Sequence, residues 1–264
     1  MKKFIVEIIL LTFWQVVIIF GKLLVFGFIL SKLQKWTQKN YQKSIGWKGI
    51  LWTAWLGTPI HELSHALAAK IFLHKITGIK LFSPDRLSGE LGEVSHQWNE
   101  KNIFQNIGNF FIGLAPMIFG SLILTMLVYF FLPNGKEIFA LLLSSEYSLL
   151  AFLKSSPAIL IKLFTFENIK SLEFWIFLYI SFCIASHMSP SKQDKKGMLN
   201  GLLFIIFILL LLNFFALIFE INTTEYIKKL MGYFKIFTTI FSYAIIISFS
   251  HFVISKIIFW IFKK

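Results

Sequence analysis

Apolar runs alternate along the chain with short polar, lysine-bearing stretches. Runs of about 18 or more apolar residues read as membrane-spanning helices. On that basis the spans fall at residues 4–30, 50–73, within 103–132, 172–188, 198–221 and 234–262. Gln15 and Lys22 interrupt the first, and a lysine there can snorkel to an interface. Residues 31–48 are polar and basic with Trp36, Tyr41 and Trp47 interleaved, the composition of an interfacial segment. Residues 75–97 are the most strand-like part of the chain. Alternation at Ile79-Lys80-Leu81-Phe82 and again from Leu91 to His96 flanks a turn at Ser83-Pro84-Asp85, which fits a hairpin or a polar loop equally. Between residues 136 and 173, Glu146, Lys154, Pro157, Lys162 and Glu167 break the apolar patches, as in amphipathic helices lying on one membrane face. The expectation is an all-α polytopic membrane protein with about six transmembrane helices, residues 1–264 forming one integral membrane domain.

Composition agrees with the pattern. The chain has 264 residues, 56% of them hydrophobic, with 32 Phe, more apolar surface than a soluble domain of this length can cover. The formal net charge of +13 arises from 26 basic and 13 acidic residues, but Arg86 is the only arginine. Forked phosphate recognition is then nearly absent, and lysines at the ends of apolar runs meet anionic headgroups, so the partner is the lipid bilayer and not nucleic acid. Lysine counts on the two implied faces are similar and give no orientation. Cys183 is the sole cysteine, so no intrachain disulfide forms. The N-terminal apolar run is too long for a signal peptide and no small-residue cleavage site follows it, so it reads as a retained helix. Localisation is expected to be multi-pass, in the cell membrane.

One stretch carries chemistry. His61-Glu62-Leu63-Ser64-His65 lies inside an apolar run, where ionisable groups are expensive and mark function. Histidines four apart share a helix face and can hold one metal ion, and the adjacent glutamate is placed as a general base. Pro59, just upstream, frees a backbone carbonyl one turn earlier. A catalytic zinc needs a third protein ligand. The extended soluble zincin pattern needs glycine and histidine where Ala68 and Ile71 stand, which excludes it. Glu90 and Glu93 lie in a strand or loop, and His74 and His96 read as polar loop residues. Asp194, in a charged turn at residues 191–197 after the fourth span, is the better ligand, with His187 as runner-up. The two halves meet on one side of the membrane only if residues 136–173 make no net crossing.

These residues resemble the site-2 protease family of intramembrane metalloproteases (peptidase family M50). His61 to His65 match the family's HExxH helix, Gly113-Leu114-Ala115-Pro116 resembles the proline-containing segment of its next span, and the stretch from Ser189 to Gly197 takes the place of its aspartate motif. The usual Asp-Gly pair is absent, since two lysines separate Asp194 from Gly197. The resemblance covers roughly residues 50–200. It implies a Zn2+ cofactor held by His61, His65 and Asp194, Glu62 as catalytic base, and a small membrane-associated β element after the motif helix. It also implies a membrane protein or peptide as substrate. Asn106 or Asn109 echoes the family's substrate-contacting asparagine, or else makes a plain interhelical hydrogen bond. Two other readings compete. One is a membrane zinc peptidase like those that process prenylated proteins, which wants a downstream glutamate ligand on a helix. The other is a non-catalytic scaffold that keeps a metal-like site.

Overall fold

A computed structural model describes residues 2–144 and 149–262; Met1 and Glu146 lie outside them. The fold is helical with one small sheet: α1 (Lys2–Ser44), α2 (Trp47–Ile71), β1 (Lys75–Lys80), β2 (Glu93–Gln97), α3 (Ile103–Phe131), α4 (Gly135–Ser144), α5 (Leu149–Leu163), α6 (Phe166–Lys170), α7 (Leu172–Ala185), α8 (Lys192–Ile218), α9 (Thr223–Tyr233) and α10 (Lys235–Phe262).

Among the described residues four helices are long and apolar enough to cross a membrane: α1, α3, α8 and α10. The expected second and fourth spans do not meet that measure. Helix α2 carries His61, Glu62, His65 and Lys70 in its C-terminal half, and α7 has 14 residues. Both are helices, and their polarity or shortness has a local reason: α2 lines a polar site and α7 stops where the site loop begins. The expected interfacial segment at residues 31–48 is also different. Residues 31–44 are the second part of α1, which is 43 residues long in all, a turn at Ile45 and Gly46 leads into α2, and Leu30, Ser31, Leu33, Thr37 and Tyr41 are buried on one side of α1.

Helix directions follow from contacts at their ends. Helix α1 runs antiparallel to α8, with Phe4 against Phe214 and Ser31 bonded to Lys195. It runs parallel to α10, with Phe26 against Phe241 and Tyr41 bonded to His251. Helices α2 and α3 are antiparallel, Phe72 meeting Gly108 and His65 meeting Ile112. Helix α7 lies beside α2 in the same direction, with Tyr179 at Trp52 and Trp55 and Cys183 at Gly57. A Cβ on Gly57 would stand 2.2 Å from the Cys183 carbonyl oxygen, so only glycine permits this approach. The expected alignment of the motif with the segment after α7 is therefore present. Ile138 and Leu142 of α4 and Ile159 and Leu163 of α5 are buried in the main core, while Ile161 is exposed.

Helix α2 ends in a Schellman turn: Leu73 N–H donates to the Lys70 carbonyl and His74 N–H to the Ala69 carbonyl. Leu73 takes the left-handed conformation (φ 60°) that this turn requires, and the chain reverses into β1. Strands β1 and β2 pair antiparallel from Lys75↔Gln97 to Lys80↔Glu93, which settles the strand-or-loop question as a hairpin.

Candidate metal centre

Three ligand atoms converge where α2, α3 and α8 meet. His61 Nε2 and His65 Nε2 lie 3.1 Å apart. Asp194 reaches both, Oδ1 at 3.1 Å from His65 Nε2 and Oδ2 at 3.5 Å from His61 Nε2. All three ligand atoms fall within 4.8 Å of one another. Bonds of about 2.0–2.1 Å in a tetrahedral site put ligand atoms about 3.3 Å apart, so this spacing suits zinc.

The ring orientations follow from what the other nitrogens do. His61 Nδ1 donates to the backbone carbonyl of His187, and His65 Nδ1 donates to that of Ile112 at 2.8 Å. A carbonyl only accepts, so each Nδ1 carries the proton and each Nε2 presents a lone pair. Two lone pairs and a carboxylate pointing at one spot could hold a cation, and the carbonyls are the kind of outer partner that metal-binding histidines usually have.

Asp194 is held differently from the sequence expectation. Residues 192–197 are the first turns of α8, not a turn between spans. Ser191 caps the helix: its Oγ accepts from Asp194 N–H at 3.1 Å, while Asp194 Oδ2 accepts from Ser191 N–H at 2.6 Å. This reciprocal box fixes the carboxylate, with Oδ1 turned to His65 and Oδ2 shared between the Ser191 N–H and the side of His61. The Ser-x-x-Asp spacing was present in the sequence and would have located it. Gly113 of α3 makes room, since a Cβ there would sit 2.8 Å from the Asp194 carbonyl and 2.3 Å from Met198 Cγ.

Glu62 is 7% exposed and takes no hydrogen bond or ion pair from any described residue. One turn earlier, Thr58 Oγ1 is also buried and unpaired among the described residues. Gly92, just before β2, closes on this pair: a Cβ on it would stand 2.8 Å from Glu62 Cγ and 2.9 Å from Thr58 Cγ2. Buried polar atoms without partners are rare and ask for a ligand or water. They stand beside His61, His65 and Asp194, which could together hold a metal ion.

The other candidates stand elsewhere. The His187 ring bonds Thr53 Oγ1 at 3.2 Å and does not join the ligands; it is the His187 carbonyl that serves the site. Glu93 pairs with Lys80 and Ser95. Glu90 lies exposed in the hairpin loop. Asn106 bonds the Glu100 and Asn102 carbonyls, a local capping role, and Asn109 is buried in α3. His74 and His96 are more than loop residues. His74 is buried and donates from Nε2 to the Gln105 carbonyl at 2.9 Å, while its Nδ1 lies 3.0 Å from His96 Nδ1. His74 Nδ1 is therefore the acceptor and His96 Nδ1 the donor, so the pair ties the base of the hairpin to the start of α3.

Comparison of the chain with protein-family models, with curated proteins and with solved structures returns no match.

Proposed function

We propose that the chain is an intramembrane zinc metalloprotease of the site-2 protease type, cutting peptide bonds of membrane-spanning substrates. The observation that carries this reading is the convergence of His61, His65 and Asp194 beside an unpartnered, buried Glu62. Three protein ligands with one open position make the set of a catalytic zinc, which when bound supplies a Lewis acid and a water that ionises near neutrality.

The chain's own groups supply the rest. Glu62, with no competing partner, accepts the proton of the attacking water on a carboxylate oxygen and returns it to the leaving amide nitrogen. The unpaired Thr58 hydroxyl is free to bond a substrate peptide group. A transmembrane substrate hides its amides in its own helix and must unwind before attack. The exposed strand β1 offers backbone groups that an unwound segment can pair with by strand addition.

Glu62→Gln keeps shape and removes the base. It is expected to leave zinc bound at wild-type stoichiometry and to lower cleavage of a reconstituted transmembrane peptide by at least about 100-fold. Unchanged cleavage in that variant would sink the mechanism.

A further inference from the structure

The His187 carbonyl that receives the His61 Nδ1 proton belongs to a short stretch, residues 186–189, between α7 and α8. Three helices hold this stretch through buried and partly buried polar contacts. Ser186 Oγ bonds His251 Nδ1 at 2.8 Å, and His251 Nε2 bonds the Tyr41 hydroxyl at 2.8 Å. The Phe182 ring stacks flat on His251 with centroids 4.4 Å apart. The Ser186 carbonyl accepts from Gln38 Nε2 at 3.4 Å, and Ser189 N–H donates to Gln34 Oε1 at 3.0 Å. From α2, Thr53 bonds the His187 ring.

Gln34, Gln38 and Tyr41 stand at i, i+4 and i+7, one face of α1. Tyr41 is 2% exposed and His251 1%. Hydrogen-bonded buried imidazole, phenol and hydroxyl add little net stability, and apolar residues of the same shape would pack α1 against α10 about as well. What polar groups add is direction. Gln38 and Gln34 bond the backbone of Ser186 and Ser189 on either side of His187, while His251 and Thr53 bond the side chains of Ser186 and His187 and Tyr41 bonds His251 in turn.

We propose that Tyr41, His251 and Ser186, with Gln34 and Gln38 beside them, form a polar brace by which α1 and α10 hold the His187 carbonyl against His61. They are positioning residues of the metal centre. Helices α1 and α10, outside the stretch that resembles a protease core, are thereby part of the site's outer support. The brace rests on the zinc reading above.

The test uses the full chain in nanodiscs, with zinc affinity measured by chelator competition, the visible spectrum of the cobalt-loaded protein, and the unfolding midpoint of the metal-free protein. The triple variant Tyr41→Phe, Ser186→Ala, His251→Phe removes the linked polar groups together and keeps their shape, so its metal-free midpoint is expected to stay near wild type. Its zinc affinity is expected to fall about 10–100-fold, with shifted cobalt bands. Wild-type affinity and spectrum in that variant overturn the brace. Should the triple variant fail to fold, Tyr41→Phe decides, since it deletes one hydroxyl remote from the metal. A fall of about threefold or more supports the brace and no fall overturns it. The two readings fail separately: a wild-type chain that binds no zinc removes both, whereas equal binding by wild type and triple variant removes the brace alone.

Discussion

Each ring nitrogen of His61 and His65 has one task, and the division of tasks decides the chemistry. The Nδ1 atoms spend their protons on backbone carbonyls, so the Nε2 lone pairs are left for a cation. Asp194 completes the set from a helix cap, where its second oxygen is already anchored. His187 contributes through its backbone, and a side-chain substitution leaves that carbonyl in place. Asp194→Ala is therefore expected to weaken zinc binding by more than about 100-fold, beyond the 10–100-fold typical of outer partners, while His187→Ala costs about tenfold or less. Chelator competition on the two variants measures this. The reverse ranking would show that His187, not Asp194, is the third ligand.

At the scale of elements, the hairpin is the part whose stability answers to pH. Burial and the adjoining His74 hold His96 down at about 4, and burial also lowers His74. Both rings are then neutral in the folded hairpin and would take up protons more readily once released. Their contribution is complete above the ordinary histidine value near 6.5 and is lost as pH falls toward 4. Amide exchange protection in β1 and β2 is expected to decline over that window, and His96→Gln to flatten the decline. Protection that stays constant from pH 7 to 4.5 in the wild type would contradict this. Helix α1 gives a second lesson. Its polar second half reads as interfacial because its composition resembles that of a headgroup-depth segment, yet Gln34, Gln38 and Tyr41 turn inward to bond the site loop.

Across the whole molecule, buried polar clusters join helices that apolar contact alone would leave free to slide in lipid. Away from the metal centre, Gln15 and Asn213 exchange side-chain amide bonds of 2.8 and 3.1 Å, and Thr12 and Thr223 close the set. Both amides are fully buried. Hydrogen bonds between membrane helices contribute about 0.6 kcal/mol on average and up to about 1.7. Asn213→Ala removes several at once and is expected to lower stability by about 1–2 kcal/mol in a reversible unfolding assay, with Gln15→Leu/Asn213→Leu recovering part of the loss. No change in the alanine variant would mean that this cluster does not hold α1 to α8.

The sequence alone determined the long apolar helices, the helical class and the HExxH spacing, and it singled out Asp194, which the fold brings to the two histidines, because apolar length, helical spacing and the rarity of aspartate are local properties. It also held the hairpin as one of two readings. It could not show what surrounds the polar face of α2, since composition records how polar a face is and not what covers it. Only the tertiary structure decided that the His187 carbonyl, not its ring, bonds His61, that Glu62 and Thr58 have no partner among the described residues, and that α1 and α10 reach the loop that carries this carbonyl. Those facts depend on side chains more than 100 residues apart in sequence, such as His61 with His187 and Tyr41 with His251, and no pattern along the chain encodes such a meeting.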